Sequence, residues 1–155
     1  MEILYEGGGS AIYHMMVEED VKRIMQAPFT SIASDGSAVT FGEDVPHIRN
    51  YGTYPRVLAK YVREEGVLSL EQAIHKMTAL PASRINLETR GTLAVGMVAD
   101  ISIFDYLTVS DHDDWANPHQ YATGFDYVIV AGVPVIDRGA SSGLFPGKVL
   151  RKSRQ

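Results

Sequence analysis

Few residues in this chain have types and settings suited to chemistry, and Asp35 leads them. It follows an apolar, β-prone run, Phe29-Thr30-Ser31-Ile32-Ala33-Ser34, and precedes Gly36. In parallel α/β folds ligands gather at the C-terminal ends of strands, so a carboxylate placed there projects into a site and can move protons. Ser34-Asp35-Gly36-Ser37 also reads as a plain turn, in which Asp and Gly serve backbone geometry alone. Arg49 lies 14 residues further on, in a stretch that also holds His47, Tyr51 and Tyr54. A planar guanidinium suits bidentate capture of a substrate carboxylate, and the alternative is a surface arginine.

The five histidines, His14, His47, His75, His112 and His119, form no His-x-His or His-x-x-x-His pair. A catalytic zinc takes about three protein ligands, and no convincing set is present, so no metal-ligating residue is assigned in this chain. Asp111, His112 and Asp113 could cluster around an ion, but the acidic stretch flanking Trp115 reads equally as an exposed linker. His14 sits in a strand-like run, facing either a site or the core, and His75 falls on the polar side of a helix. There is no Gly-x-Ser-x-Gly elbow, no phosphate loop and no cysteine nucleophile, and Gly7-Gly8-Gly9 lacks dinucleotide-binding spacing.

The elements that must position these groups divide into two textures. Ala11–Met16 reads as a strand, Glu18–Met25 as a helix with acids in its first turn, and Phe29–Ser34 as a second strand, which together make a βαβ unit with parallel strands. Ser37–Tyr54 reads as a loop, longer than the roughly two to six residues usual between such elements. A helix from about Pro55 to Glu65 presents Val57, Leu58, Tyr61 and Val62 on one face and stops at Gly66. Ser69 and Gln72 form a capping box ahead of an apolar stripe of Leu70, Ile74 and Met77, and a short helical turn begins near Pro81. From Gly91 onward the pattern turns to β: Ile101–Phe104 reads as a strand, and Val128–Val130 and Val133–Ile136 as a hairpin closed by Ala131-Gly132.

The 155 residues carry 14 Lys plus Arg against 19 Asp plus Glu, a net charge of −5, with 45% hydrophobic residues. With a mean hydropathy of −0.05 and pI near 5.5, this is the composition of a globular domain with a real core. Nucleic-acid binding by charge is not expected, since a phosphate footprint needs clustered Lys and Arg. Neither a membrane span of roughly 20 apolar residues nor a signal peptide is expected. The absence of cysteine fits a reducing cytoplasm.

Several blocks resemble the N-acyl-D-amino-acid deacylases, the D-aminoacylase branch of the amidohydrolase superfamily. They are Ser34-Asp35-Gly36, His47-Ile48-Arg49-Asn50-Tyr51-Gly52-Thr53-Tyr54-Pro55-Arg56-Val57-Leu58, Tyr61-Val62-Arg63-Glu64, Leu70 to Thr78, Gly96 to Ile101 and the ending Gly143 to Arg151. The resemblance runs along nearly the whole chain, and the order of the blocks is more specific than any one of them. It implies an α/β fold: the last two strands and helices of a TIM-like amidohydrolase barrel over residues 1–90, followed over 91–155 by the C-terminal part of a small β-domain. It also implies Asp35 as catalytic general base towards metal-bound water and then proton donor to the leaving amine, with Arg49 binding the substrate α-carboxylate.

The same resemblance implies zinc in the complete enzyme, with ligands in family motifs that have no counterpart here, and hence none bound by this chain alone. Two strands cannot close a barrel of about 250 residues, so a homo-oligomer or a complementing N-terminal chain is expected. Two other readings stand beside the deacylase: a non-catalytic assembly or binding fragment, and a cyclic-amide hydrolase of the dihydropyrimidinase or dihydroorotase type.

Overall fold

A computed structural model of the chain describes residues 13, 15–112 and 114–151. The strand expected over Ala11–Met16 falls largely outside these residues, as do His14, Asp113 and the Gly7-Gly8-Gly9 run.

The first helix, α1 (Glu18–Gln26), opens with Glu18, Glu19 and Asp20, whose charges complement the helix dipole, and ends at Ala27 ahead of Pro28. Its Val21 and Met25 pack against a core of Val57, Tyr61, Val62, Leu68 and Ala73. Phe29–Ser34, expected as a parallel strand, begins in the turn that follows α1 at Phe29, and pairs with no strand among the described residues. No neighbouring strand flanks it among those residues. Its Ile32 N–H donates instead to the Lys76 carbonyl at 3.0 Å, at the end of a helix, and one such bond makes no ladder. The βαβ unit is therefore not assembled within the described residues.

The second helical rod begins earlier than its sequence suggests. Helix α2 spans Arg49–Arg56 and runs directly into a π-helical stretch, Val57–Glu64. Tyr51, Gly52, Thr53 and Tyr54 are weak helix formers, which is why they read as loop; tertiary contacts override that preference. Pro55 offers no N–H to the Tyr51 carbonyl, and the helix widens just beyond it. The expected apolar face holds: Val57, Leu58, Tyr61 and Val62 are buried, and Gly66 takes φ +62° at the stop.

Helix α3 (Leu70–Met77) carries the expected capping box, with Ser69 Oγ accepting from Gln72 N–H and Gln72 Oε1 accepting from Ser69 N–H. Lys76 on this helix is buried, and its ammonium donates to the carbonyls of Ala27 and Thr30, tying α3 to the extended run. Helix α4 (Ala79–Arg84) starts before Pro81, which its first turn tolerates because those N–H groups have no partner inside the helix.

The β-rich part is a four-stranded antiparallel sheet in chain order: β1 (Ile101–Phe104), β2 (Phe125–Val130), β3 (Val133–Asp137) and β4 (Ala140–Ser141). Ala131 at φ +51° and Gly132 at φ +82° close the β2–β3 hairpin, as the twist of such hairpins favours. Asp100 holds that turn by accepting the Ala131 N–H at 2.7 Å. The sheet faces the helices across a cavity of about 810 Å³ between Pro55, Leu58 and Met77 on one side and Phe104, Val128 and Ile136 on the other. Arg63 joins the two parts, donating to the carbonyls of Tyr106 at 3.0 Å and Val109 at 2.7 Å.

Candidate active site

The extended run from Thr30 delivers Asp35 to the first turn of α2. There its carboxylate meets the Arg49 guanidinium, with Oδ2 and Nη2 3.0 Å apart. The two residues that the sequence marks separately are thus brought into contact. Both are open to solvent, the Asp35 side chain 80% exposed and that of Arg49 44%. An exposed pair of this kind adds at most about 1 kcal/mol to stability, so its consequence is one of orientation.

The backbone around Asp35 is held by α2. Thr53 Oγ1 lies 3.2 Å from the Ser34 carbonyl, and the Ser37 N–H donates to Asn50 Oδ1 at 3.0 Å. Ser34 Oγ accepts the Gly36 N–H at 3.3 Å. A Cβ on Gly36 would lie 3.3 Å from Asn50 Cα, so a side chain there would need the turn or α2 to give by a few tenths of an ångström. Asp35 itself has φ +47°, a left-handed conformation uncommon outside glycine. His47 completes the helix start, its Nδ1 accepting the Arg49 N–H at 3.0 Å.

The stretch from Asp111 to Tyr121 forms the wall behind this turn. Asp111 pairs with Arg56 at 3.1 Å and is largely buried. Trp115 meets His47 edge-on, ring centroids 4.8 Å apart. His119 Nδ1 accepts the Gly42 N–H at 3.1 Å and lies 3.0 Å from the Tyr51 hydroxyl, while Nε2 sits 3.2 Å from the Asp44 carbonyl. Since an amide N–H can only donate and a carbonyl only accept, this network requires the neutral, Nε2–H tautomer. Phe41 stacks on Tyr121 at 4.9 Å beside the same histidine. His112, Asp114–Asn117 and Tyr121 are exposed, as the linker reading expects, but the stretch also rests Trp115, His119 and Tyr121 against the 37–48 loop and α2, contacts between positions some 70 residues apart that no local pattern reveals.

A cavity of about 420 Å³ opens here, lined by Ile32, His47, Arg49, Thr53, Asp111 and Trp115 among others. Among the described residues no three His, Asp or Glu side chains converge as a metal site would require. Asp111 is engaged by Arg56, and the proposed cluster with His112 is not formed among the described residues. His75 is exposed, as its helix position implies. Asn50 and Thr53 escape sequence reasoning; their signal is the spacing of one, and then four, residues from Arg49, which carries meaning only once α2 is known to start there.

With this geometry in view, comparison with known proteins defines the class. Residues 4–136 match the model of the amidohydrolase family, and the chain belongs to that family. More particularly, it is 43% identical over 143 residues to D-aminoacylase of Alcaligenes xylosoxydans xylosoxydans, covering 92% of this chain and 29% of that protein. N-acyl-D-glutamate deacylase of the same organism is 42% identical over 142 residues, covering 92% of this chain and 28% of the relative. A dihydroorotase of Endomicrobium trichonymphae is 57% identical over only 42 residues, 27% of this chain and 10% of that one.

Among solved structures, a crystal structure of D-aminoacylase superimposes with TM-score 0.84 at 38% identity, covering 92% of this chain and 30% of that one. N-acyl-D-glutamate deacylase from Bordetella bronchiseptica, complexed with zinc and a phosphonate mimic of the tetrahedral intermediate, gives TM-score 0.72 at 42% identity over 77% of this chain and 25% of that one. The chain therefore spans under a third of the length of these relatives.

Proposed function

We propose that this chain is the part of an N-acyl-D-amino-acid amidohydrolase that supplies the proton-transferring carboxylate, Asp35, and the carboxylate-binding guanidinium, Arg49. The observation that carries the reading is their contact, 3.0 Å between Oδ2 and Nη2, in a chain similar to D-aminoacylase over 92% of its length. Without substrate the two charges satisfy each other. A substrate α-carboxylate takes both arms of the Arg49 fork and displaces Asp35 from it. Asp35 then accepts a proton from the attacking water as the new C–O bond forms, and returns it to nitrogen as the amide C–N bond breaks. One carboxylate serves both steps, so no net proton is gained or lost.

Among the described residues no three His, Asp or Glu side chains make a zinc site, and no step is assigned here to the metal. In this reading residues 1–90 belong to the barrel and 91–155 to the β-domain, and a complementing chain or segment covers what they leave bare. The unpaired run at Phe29, 70% exposed, together with Met15 at 80% and Phe145 at 94%, supports such an association. The same surface is what favours the second reading, an assembly module without catalysis. The short dihydroorotase match, against nearly full-length deacylase matches, makes cyclic amides the weaker alternative.

The test is to graft the chain in place of the matching stretch of the Alcaligenes D-aminoacylase and assay the zinc-loaded hybrid. Hydrolysis of N-acetyl-D-amino acids, with little action on the L-enantiomers or on dihydroorotate, is expected. A folded, zinc-replete hybrid without that activity contradicts the proposal.

A further inference from the structure

Asp35 is a non-glycine residue at φ +47°, in an exposed segment that no strand partner braces. Asp adopts the left-handed region more readily than most non-glycine residues, so the conformation costs little by itself, and its direction is set by what holds the flanking chain. What holds it here is one face of α2. Asn50 and Thr53, three residues apart and so adjacent on the helix surface, grip the chain on either side of Asp35. Asn50 Oδ1 takes the Ser37 N–H at 3.0 Å, two residues after it. Thr53 Oγ1 lies 3.2 Å from the Ser34 carbonyl, just before it, and 3.0 Å from the Arg49 carbonyl four residues back in its own helix, and its single proton serves one or the other of these acceptors. The Thr53–Ser34 contact is partly buried, whereas the Asn50–Ser37 bond is open to solvent, so the grip comes from holding the chain at two points rather than from exclusion of water.

We infer that Asn50 and Thr53 are positioning residues that fix the backbone of Asp35 from both sides and thereby aim its carboxylate. The inference rests on the reading of Asp35 as the proton-transferring group. Neither residue touches the Asp35 carboxylate, so neither is catalytic; each acts through the backbone. A carboxylate displaced by about 1 Å from its productive position loses roughly a hundredfold in rate, while the Arg49 clamp is left in place to bind substrate.

Two readouts test this separately. The first is nuclear magnetic resonance on the 155-residue chain itself. A positive φ shortens the distance between the amide and α protons of one residue, so Asp35 shows an intense intraresidue cross-peak, and the Ser37 amide exchanges slowly. Asn50→Ala combined with Thr53→Val weakens the first and speeds the second, whereas Thr53→Ser, which keeps the hydroxyl, leaves both. If the double variant keeps the Asp35 cross-peak, the inference is overturned, whatever the chain does as an enzyme.

The second readout is kinetic, on the hybrid D-aminoacylase. The double variant is expected to lower kcat by roughly ten- to a hundredfold with KM within about twofold, and Thr53→Ser restores the Thr53 contribution. An unchanged kcat overturns the positioning role. An inactive unsubstituted hybrid counts against the deacylase reading instead, and leaves the resonance experiment to decide the geometry.

Discussion

Gly52 lies so close to Asp111 that a Cβ added to it would sit 2.8 Å from the Asp111 Cβ. This contact sets how near α2 approaches the Asp111–Tyr121 wall, and it explains a glycine inside a helix, where it otherwise costs about 1 kcal/mol. Gly52→Ala gains helix propensity yet pushes Asp111 from Arg56, its partner at 3.1 Å. The overpacking is expected to dominate, by about 1–3 kcal/mol. Urea denaturation checks the sign, and a variant more stable than the parent contradicts the account.

Arg49→Lys keeps the charge but loses the planar fork. In the hybrid enzyme it is expected to raise KM for N-acyl-D-amino acids by roughly tenfold, and Arg49→Ala by up to about a hundredfold, in line with the worth of charge-assisted hydrogen bonds. Steady-state kinetics with substrates bearing and lacking the α-carboxylate separate the effect. An equal loss on both kinds of substrate rules out the clamp.

Lys76, 5% exposed, binds the carbonyls of Ala27 and Thr30 and so anchors the run that leads to Asp35. Lys76→Met removes the donor to the Thr30 carbonyl, while the Ala27 carbonyl still accepts from the Thr30 N–H and hydroxyl, at an expected cost of about 1–3 kcal/mol. Faster amide exchange at Ile32, whose N–H donates to the Lys76 carbonyl, is the local sign to look for.

The contact of α1 with the π-helical stretch is charged. Glu18 and Lys60 lie 2.8 Å apart, and their hydrogen bond is the main cause both of the lowered Glu18 pKa, against an ordinary value of 4.5, and of the raised Lys60 pKa, against 10.5. The Glu18 contribution is therefore present above about pH 4.5 and is lost as pH falls through its lowered pKa. That of Lys60 is present below about pH 10.5 and is lost as pH rises through its raised value. Melting temperatures of parent and Lys60→Met should thus differ most between these limits and converge beyond them. A gap that stays constant as pH falls below 4.5 through the whole of the Glu18 titration would argue against the pair.

Elements defined by local chemistry are legible in the sequence. The acids of α1, the Ser69–Gln72 capping box and the Gly66 stop rest on contacts within a few residues, and the Ala131-Gly132 hairpin is marked by its own turn residues even though Asp100 also braces it from afar. Elements that depend on distant partners are not. Phe29–Ser34 has the composition of a buried strand, but a strand exists only beside another. The first turns of α2 look like loop because Gly52 and Thr53 are poor helix formers, and their helix is stabilised by Asp111 and by Ser34, residues far away in sequence. The site divides the same way. Asp35 and Arg49 stand out by type and setting, whereas their contact and the grip of Asn50 and Thr53 on the turn emerge only from the fold.

The central claim, that Asp35 carries the proton in amide hydrolysis, is tested most directly by kcat of the zinc-loaded hybrid with Asp35 and with Asn in its place. Asp35→Asn keeps size and shape but cannot accept the proton, so kcat should fall by roughly a hundred- to ten-thousandfold while zinc content stays unchanged. A variant retaining more than about a tenth of the parental kcat, with zinc and fold intact, would contradict the account.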